Sequence, residues 1–431
     1  MRLSDIELIN EVQEGMKKFD KLAIDGGPKV ITESLPTEWP GVNWIGDEER
    51  QAVAAAVDGQ SHTGNLADDL CEFYGCAWSH PTNSGTAALF TAAATLGIGP
   101  GMEVLIPGIC WLPTFACVVS RGAIPVLVEV GEDLGMDPND MRRKITPRTR
   151  AVIPVHMCGA PADMDPIMAV AREHDLLVFE DCAQAGAVTY KGKHVGLFGD
   201  IGCFSLQQNK HFTCFTGGYI LSNRQELKTV AMQINDAGLT RIMDVGSEII
   251  DDVVEWGMGH YLNVLAQAMA REQLKKVPKI LGAMRHAKNR IKAGIKDSGI
   301  RCRPLNDPEG DGGSFLVTYW PSPEIARRAA EAIPAEGGPQ WTYPLESYGT
   351  HMYYYMLNLI RKAPWLRGTQ WPWDIPENRD SVYSYEKGAL PQSDQIFSHG
   401  VVMAVPSRLT DEQCDKIAEI YVKITANHAI H

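Results

Sequence analysis

A single lysine, Lys210, lies in a polar loop between two apolar, strand-like segments of the sequence. The first segment covers residues 202–206, and Gly217-Gly218 lead into the second, residues 219–221. Burial lowers the pKa of a lysine because it disfavours the charged form, and a neutral amine can form a Schiff base with a carbonyl compound. A lysine on an ordinary surface turn is the alternative for this stretch taken alone.

Two other loops at the ends of predicted strands carry residues that suit the same chemistry. Ser84-Gly85-Thr86 precedes an apolar helix, where free N–H groups and the helix dipole favour a phosphate, although a plain serine N-cap is the alternative. Asp181 follows a buried strand and can either hold a positive ring nitrogen through a charge-assisted hydrogen bond or cap a helix. Ser205, five residues before Lys210, is a candidate second phosphate donor.

A phosphate-binding loop, a buried carboxylate and a lysine, in that order, are the requirements for pyridoxal 5′-phosphate (PLP). The lysine attaches the cofactor, and the acid keeps the ring nitrogen protonated so that the ring can accept electrons from the substrate. An aromatic side chain should also cover the ring. Trp111, just beyond the predicted strand 103–107, is the candidate, with a core tryptophan as the alternative.

Length, charge and cysteine usage exclude several other classes of protein. The 431 residues suffice for two domains, and the net charge of −13 argues against nucleic acid or an anionic membrane as partner. The sequence has no apolar run long enough to span a membrane and no secretory signal at residues 1–21, so we expect a cytoplasmic protein. The ten cysteines form no Cys-x-x-Cys pair, which predicts free thiols and no metal site.

The order of predicted elements indicates an α/β fold. Apolar strands alternate with helices between residues 76 and 179, which is typical of a largely parallel sheet covered on both faces. Ligands bind such sheets at the carboxyl ends of the strands. We expect an N-terminal arm (1–47), a large domain (48–274) and a smaller α+β domain (275–431). Aromatic residues at 353–355, 365, 371 and 373 could form a substrate lid, but packing of the small domain is the stronger alternative.

Four segments resemble the DegT/DnrJ/EryC1/StrS family of PLP-dependent sugar aminotransferases. They are residues 84–89, 154–159, 180–185 and 199–205, and the resemblance covers most of residues 48–275 in the family's order and spacing. It implies the aspartate-aminotransferase fold (fold type I) and a homodimer with its active sites at the interface. It also implies ping-pong transfer of an amino group from L-glutamate or L-glutamine to the keto or aldehyde group of a sugar, a cyclitol or a sugar-bearing natural-product precursor.

The resemblance assigns roles to individual positions of this chain. Lys210 matches the Schiff-base lysine and proton carrier, and Asp181 matches the partner of the ring nitrogen. Gln184 matches the residue near the cofactor's 3-hydroxyl. The remaining cofactor-binding positions are Gly85, Thr86 and Ser205 at the phosphate and Trp111 stacked on the ring.

The chain departs from the family pattern at several positions. His211 follows the lysine where the family usually has asparagine, Thr216 replaces an acid, and Gly186 replaces a histidine. The segment that reaches the partner subunit's phosphate falls on residues 257–261 and lacks its asparagine and arginine, so Asn263 is the candidate substitute. These departures favour an acceptor other than a standard nucleotide-linked sugar.

Two other functions stay open as alternatives. Some relatives carry histidine in place of the lysine and dehydrate sugars; Lys210 argues against this activity, although a slip of one residue would exchange the roles of Lys210 and His211. A PLP-binding regulatory protein that performs no catalysis is the second alternative. His156, at a strand end, could contact substrate or cofactor, or could be a hydrogen-bonded interior histidine.

Overall fold

A seven-stranded sheet forms the centre of the larger part of the molecule. A computed structural model describes residues 21–59, 65–238 and 255–427 of the protein. In chain order the first nine strands are β1 (Trp78–Thr82), β2 (Glu103–Pro107), β3 (Ile124–Val128), β4 (Thr149–Val152), β5 (Leu177–Asp181), β6 (Thr189–Tyr190), β7 (Lys193–His194), β8 (Ile201–Ser205) and β9 (Gly218–Ser222). Strands β6 and β7 form a separate two-stranded sheet, and the other seven form the central sheet.

The seven-stranded sheet is parallel except at one strand. Its order is β1-β9-β8-β5-β4-β2-β3, and β9 runs antiparallel to both of its neighbours. The other neighbouring pairs are parallel. The largely parallel sheet predicted from the continuous apolar strands is confirmed, and β2 has the predicted bounds.

Helices cover both faces of this sheet and continue into the C-terminal part. In β2, Val104 and Ile106 belong to one buried apolar cluster and Leu105 to another, so both faces of the strand are buried. The helices are α1 (Asp47–Val57), α2 (Leu66–Tyr74), α3 (Gly85–Thr95), α4 (Leu112–Ser120), α5 (Pro138–Lys144), α6 (Met164–Glu173), α7 (Lys228–Asn235), α8 (Val264–Gly294), α9 (Pro323–Ala335), α10 (Leu357–Ile360), α11 (Pro391–His399) and α12 (Asp411–Asn427).

Helix α1 begins with a run of acidic residues. Asp47, Glu48 and Glu49 occupy the first turn, where carboxylates interact favourably with the helix dipole. The Glu49 side chain also accepts a hydrogen bond from the Gly46 N–H at 2.7 Å, which satisfies a free donor at the helix start.

A smaller antiparallel sheet lies in the C-terminal part. Its strands are β10 (Arg301–Cys302), β11 (Phe315–Tyr319), β12 (Thr342–Pro344) and β13 (Gly400–Ala404), in the order β10-β11-β13-β12. Residues of α9 and α12 form a third buried cluster with this sheet. Leu22 and Ile31 of the N-terminal arm are buried in the same cluster, so the described part of the arm packs on the C-terminal part.

One long helix connects the two parts. Helix α8 contains 31 residues and continues through residues 274 and 275, where we place the domain boundary from sequence. The division into an arm and two domains stays a prediction, and residues 1–20 of the arm lie outside the described residues. Within the described part of the chain, no helix is both long and apolar enough to cross a membrane.

Candidate active site

A cavity of about 360 Å³ opens at the carboxyl ends of the central strands. Its lining comes from the segments that follow β1, β2, β4, β5 and β8 and from two residues of the C-terminal part, Trp341 and His351. A smaller recess adjoins the cavity and shares Lys210 with it. The predicted site residues among the lining are Gly85, Thr86, Trp111, Asp181, Gln184, Ser205 and Lys210.

Lys210 lies in the loop between β8 and β9, with its side chain in the cavity. Its backbone is held on both sides: its N–H donates to the Gln207 carbonyl at 2.9 Å, and its carbonyl accepts from the Gly41 N–H at 3.1 Å. Burial lowers the pKa of the amine to about 8, partly offset by the Asp181 carboxylate. Lys210 therefore has the lowered pKa that a reactive amine requires.

Asp181 ends β5 and is buried beside the cavity. One carboxylate oxygen accepts a hydrogen bond from the Thr114 hydroxyl at 2.7 Å, and the other accepts one from the Ala183 N–H at 3.0 Å. Burial raises the pKa of Asp181, opposed by these two hydrogen bonds and by the charge of Lys210. A buried carboxylate in this environment gains most when a cation binds next to it.

The loop at the start of α3 and the end of β8 approach each other closely. The Ser84 hydroxyl accepts from the Ala87 N–H at 3.1 Å, so the predicted serine cap forms as well. A Cβ atom added to Gly85 would lie 2.8 Å from Cβ of Ser205. Glycine is therefore required for this approach, and it brings Ser205 to a helix N-terminus, the kind of place where phosphates bind.

Trp111 and Gln184 contact His351, a residue of the C-terminal part that no sequence motif indicates. Trp111 is the N-cap of α4, is 47% exposed, and has its ring centre 4.9 Å from that of His351. The Gln184 Oε1 accepts from the Cys158 N–H at 2.9 Å, and its Nε2 lies 3.2 Å from His351 Nε2. Because this leaves the amide nitrogen of Gln184 as the donor, His351 Nε2 accepts.

The two adjacent residues Lys210 and His211 have different environments. His211 Nδ1 donates to the Gly186 carbonyl at 2.7 Å, and its Nε2 lies 3.0 Å from the Ser314 hydroxyl. Burial lowers its pKa to about 4, so the imidazole is neutral at pH 7. His211 borders the recess but not the main cavity, so Lys210, rather than His211, is the residue that faces Asp181.

His156 is an interior histidine. Its Nε2 lies 3.0 Å from Glu180 Oε2, and its Nδ1 accepts from the Ala162 N–H at 3.1 Å. His156, Glu180 and Cys182 form the one metal-compatible cluster found in the described residues, but three backbone N–H groups already donate to Glu180. The absence of a metal stays a prediction.

Asn263 does not line the cavity of its own chain. It is the N-cap of α8, and its side chain accepts from the Ala266 N–H at 3.0 Å. The preceding segment runs beside the phosphate loop, because the Asn83 N–H donates to the His260 carbonyl at 2.6 Å. Contact of Asn263 with a partner subunit's phosphate stays a prediction. Thr216, the residue in place of the family's acid, does line the cavity.

The aromatic lid considered from sequence does not border this cavity in the described structure. Tyr353 and Tyr354 are buried in a core cluster, and the ring of Trp365 contacts that of Phe90 at 5.6 Å. The C-terminal residues that do border it are Trp341 and His351, with Tyr348 in the recess. They follow no motif, and the aromatic content of this region was the only signal that pointed to them.

Two curated relatives match a large part of the chain. The L-glutamine:2-deoxy-scyllo-inosose aminotransferase of Micromonospora echinospora is 31% identical over 313 residues, which cover 69% of this chain and 73% of the relative. The L-glutamine:scyllo-inosose aminotransferase of Streptomyces griseus is 34% identical over 227 residues, which cover 50% of this chain and 53% of the relative.

A solved structure shows the fold of the chain, and the family profile shows its family. The aminotransferase from Psychrobacter cryohalolentis superposes with a TM-score of 0.74 at 24% identity, covering 91% of this chain and 99% of the other. The predicted fold type is confirmed by this similarity. The profile of the DegT/DnrJ/EryC1/StrS aminotransferase family matches residues 44–328. The predicted enzyme class is confirmed: the protein is an aminotransferase, and the chain belongs to the DegT/DnrJ/EryC1/StrS aminotransferase family.

Proposed function

We propose that the protein binds PLP at Lys210 and moves an amino group from L-glutamine to the keto group of a cyclitol or sugar. The observation that carries the proposal is the cavity itself. One cavity contains an amine with a pKa near 8, a buried carboxylate and a helix N-terminus, which are the three groups that PLP requires.

The residues present fit the cofactor at both of its ends. At the phosphate end, the missing Cβ of Gly85 leaves room beside Ser205, and the start of α3 supplies N–H groups. At the ring end, Asp181 is held by Thr114 and Ala183 and gains a cationic partner when a protonated ring nitrogen binds. Trp111 borders the same cavity with a half-exposed ring that can cover the cofactor face.

The protein's own groups then provide binding, orientation and proton transfer. When bound, PLP supplies an electron sink that stabilises negative charge at the substrate carbon. Lys210 Nζ would hold the cofactor, and as a free amine with a pKa near 8 it could take and return a proton near neutral pH. Gln184 lines the cavity, and its amide is held by Cys158 and His351, so its side chain is fixed beside the proposed position of the ring.

The identity of the donor and acceptor rests on relatives. Both relatives described above are named for L-glutamine as donor and an inosose as acceptor. An inosose is a cyclic polyhydroxylated ketone, which agrees with the departures at Gly186 and Thr216 from the usual family pattern. We therefore infer glutamine as the donor and a ketone of this type as the acceptor.

A homodimer is part of the proposal. Tyr261, Val264 and Leu265 are exposed apolar side chains next to the phosphate loop, and Tyr261 pairs with Thr82 through a β-bridge. Exposed apolar residues grouped in this way are typical of an interface. A second copy on this surface would bring its own residues to the phosphate end of the site, and Asn263 lies at the same place.

The absorbance spectrum of the purified protein tests this function. Wild-type protein loaded with PLP should show a visible band that L-glutamine bleaches and a keto acceptor restores. Lys210→Ala should lose turnover and the covalent band while still binding pyridoxamine phosphate, and the exposed Lys279→Ala serves as the matched control. A band that no amino acid bleaches, or normal turnover by Lys210→Ala, would contradict the proposal; accumulation of a deoxy-ketone would favour a dehydratase.

A further inference from the structure

We propose that Tyr348 and Asn209 form a subsite for a hydroxyl group of the acceptor, so that the acceptor is a polyhydroxylated ketone without phosphate or another anionic group. This inference rests on the proposed function and extends it to the chemistry that selects the acceptor.

Tyr348 has a buried hydroxyl whose proton has no acceptor among the described residues. The side chain is 6% exposed, and its hydroxyl donates no hydrogen bond within the described part of the chain, while the Gln184 amide lies close enough to lower its pKa. The ring is held in place by stacking on His351, with centres 4.3 Å apart and an angle of 14° between the planes. Burial keeps the pKa of this phenol well above its usual range, so the group stays protonated and can donate. Leaving such a group unpaired costs free energy unless a ligand supplies the partner.

Asn209 supplies a second unsatisfied group in the same place. Its Oδ1 is buried and has no hydrogen-bond partner among the residues that the structure describes. Asn209 precedes Lys210 and borders both the main cavity and the recess, while Tyr348 borders the recess. A phenol that donates and an amide oxygen that accepts match a hydroxyl group, which is both acceptor and donor. A carboxylate or phosphate oxygen offers acceptors only.

The charge of the lining points in the same direction. In the cavity and recess as the described residues form them, Lys210 is the only lysine or arginine, and the acids Asp181 and Glu38 are present. The pKa values of His211 and His351 are both lowered to about 4 by burial and by the charge of Lys210, so these rings carry no charge at pH 7. The helix N-terminus beside Ser205 is assigned to the cofactor's own phosphate, and a second phosphate, on the acceptor, would need arginine or a further lysine.

Tyr348→Phe tests the subsite because it removes one hydroxyl and keeps the stacked ring. L-glutamine should bleach the visible band of the variant as it does that of the wild type, because Lys210 and the cofactor-binding residues are unchanged. With scyllo-inosose as the acceptor probe, kcat/KM for return of the visible band should fall at least about tenfold. With cyclohexanone, which lacks hydroxyl groups, kcat/KM should not change. Tyr354→Phe is the matched control, because its hydroxyl donates to the Glu346 carbonyl at 2.9 Å and does not face the cavity.

Thermal stability gives a readout that does not depend on turnover. Without an acceptor, Tyr348→Phe should melt at the same temperature as the wild type or higher, because an unpaired buried hydroxyl is removed, whereas Tyr354→Phe should melt lower. A lower melting temperature for Tyr348→Phe overturns the proposal. The proposal is also overturned if Tyr348→Phe keeps the wild-type preference for scyllo-inosose over cyclohexanone. It is overturned as well if only an anionic keto sugar restores the visible band of the wild type. If no amino acid bleaches the visible band of the wild type, the proposed function is wrong. The comparison of melting temperatures is then the remaining test of the subsite.

Discussion

The hydroxyl group of Thr114 donates a hydrogen bond to Oδ2 of Asp181 at 2.7 Å, and both side chains are buried. Thr114 belongs to α4, the helix that Trp111 caps, so one loop and helix both position the aromatic ring and hold the carboxylate. The bond favours the charged form of Asp181 against the burial that raises its pKa. Thr114 therefore acts on the proposed cofactor through Asp181.

Thr114→Val should weaken PLP binding while preserving the shape of the side chain. Hydrogen bonds to charged groups contribute about 1.5–3 kcal/mol, so the Kd for PLP should rise roughly tenfold to a hundredfold if Asp181 must be charged to hold the ring. Titration of the cofactor-free protein with PLP, followed by absorbance, measures this Kd. Thr114→Ser keeps the hydroxyl and should stay near the wild-type value. Equal Kd values for the valine and wild-type proteins would contradict the role of this bond.

Gly85→Ala should damage the phosphate end of the site. The new Cβ would lie 2.8 Å from Cβ of Ser205, an atom attached directly to the backbone of β8, so the two loops must separate. We expect weaker PLP binding and a loss of about 1–3 kcal/mol in the free energy of unfolding.

Gly282→Ala is the control for this substitution. Gly282 lies within α8, and an added Cβ meets no atom within 4 Å, so alanine should stabilise the protein by about 0.5–1 kcal/mol through its helix propensity. Urea unfolding of the cofactor-free variants compares the two. Stabilisation by both substitutions would show that the approach between Gly85 and Ser205 is not as close as described.

The parts of the site that could be predicted from sequence are those carried by short local segments. The residue after a buried strand lies at the carboxyl edge of the sheet, so Asp181 and Lys210 could be placed there from the alternation of strands and helices alone. Gly85 and Ser205 followed for the same reason. Their meeting in one cavity depends only on the parallel order of the strands, which continuous apolar segments predict.

The contribution of the C-terminal part could not be predicted in this way. Tyr348 lies between two short helical turns, Leu345–Ser347 and Gly349–His351, and His351 ends the second; the sequence has no periodicity there. Tertiary contacts bring them to the cavity: the Cys110 N–H donates to the His351 carbonyl at 2.9 Å, and Ile109 pairs with Met352. Such pairings join residues about 240 positions apart and leave no local pattern in the sequence.

The N-terminal arm is attached to the C-terminal part through a buried ion pair. Glu336 accepts hydrogen bonds from Lys423 Nζ at 3.0 Å and from the Ala23 and Val30 N–H groups at 2.7 and 3.2 Å. Lys423→Met leaves the buried carboxylate without its cation and should lower the free energy of unfolding by about 3–5 kcal/mol. The exposed Arg50–Asp47 pair at 2.8 Å is the comparison, and Arg50→Met should change stability by about 1 kcal/mol or less. Similar urea midpoints for the two variants would contradict this account.

Lys210 should destabilise the cofactor-free protein in a pH-dependent manner. Its pKa of about 8 in the folded state lies below the usual value of 10.5, so the folded protein disfavours the charged amine. The destabilisation is fully present below about pH 8. It decreases between about pH 8 and 10.5, where the folded state has lost the proton and the unfolded state still holds it, and it vanishes above that range.

Lys210→Met removes the charge, so the cofactor-free variant should melt at a higher temperature than the wild type at pH 7. The difference in melting temperature should narrow as the pH rises from 8 to 10.5. Scanning fluorimetry from pH 7 to 10.5 measures it, with the exposed Lys279→Met as a control that should show no such trend. A wild-type protein more stable than Lys210→Met at pH 7 would mean that the folded protein stabilises the charged amine. The amine would then lack the lowered pKa that attachment of the cofactor requires.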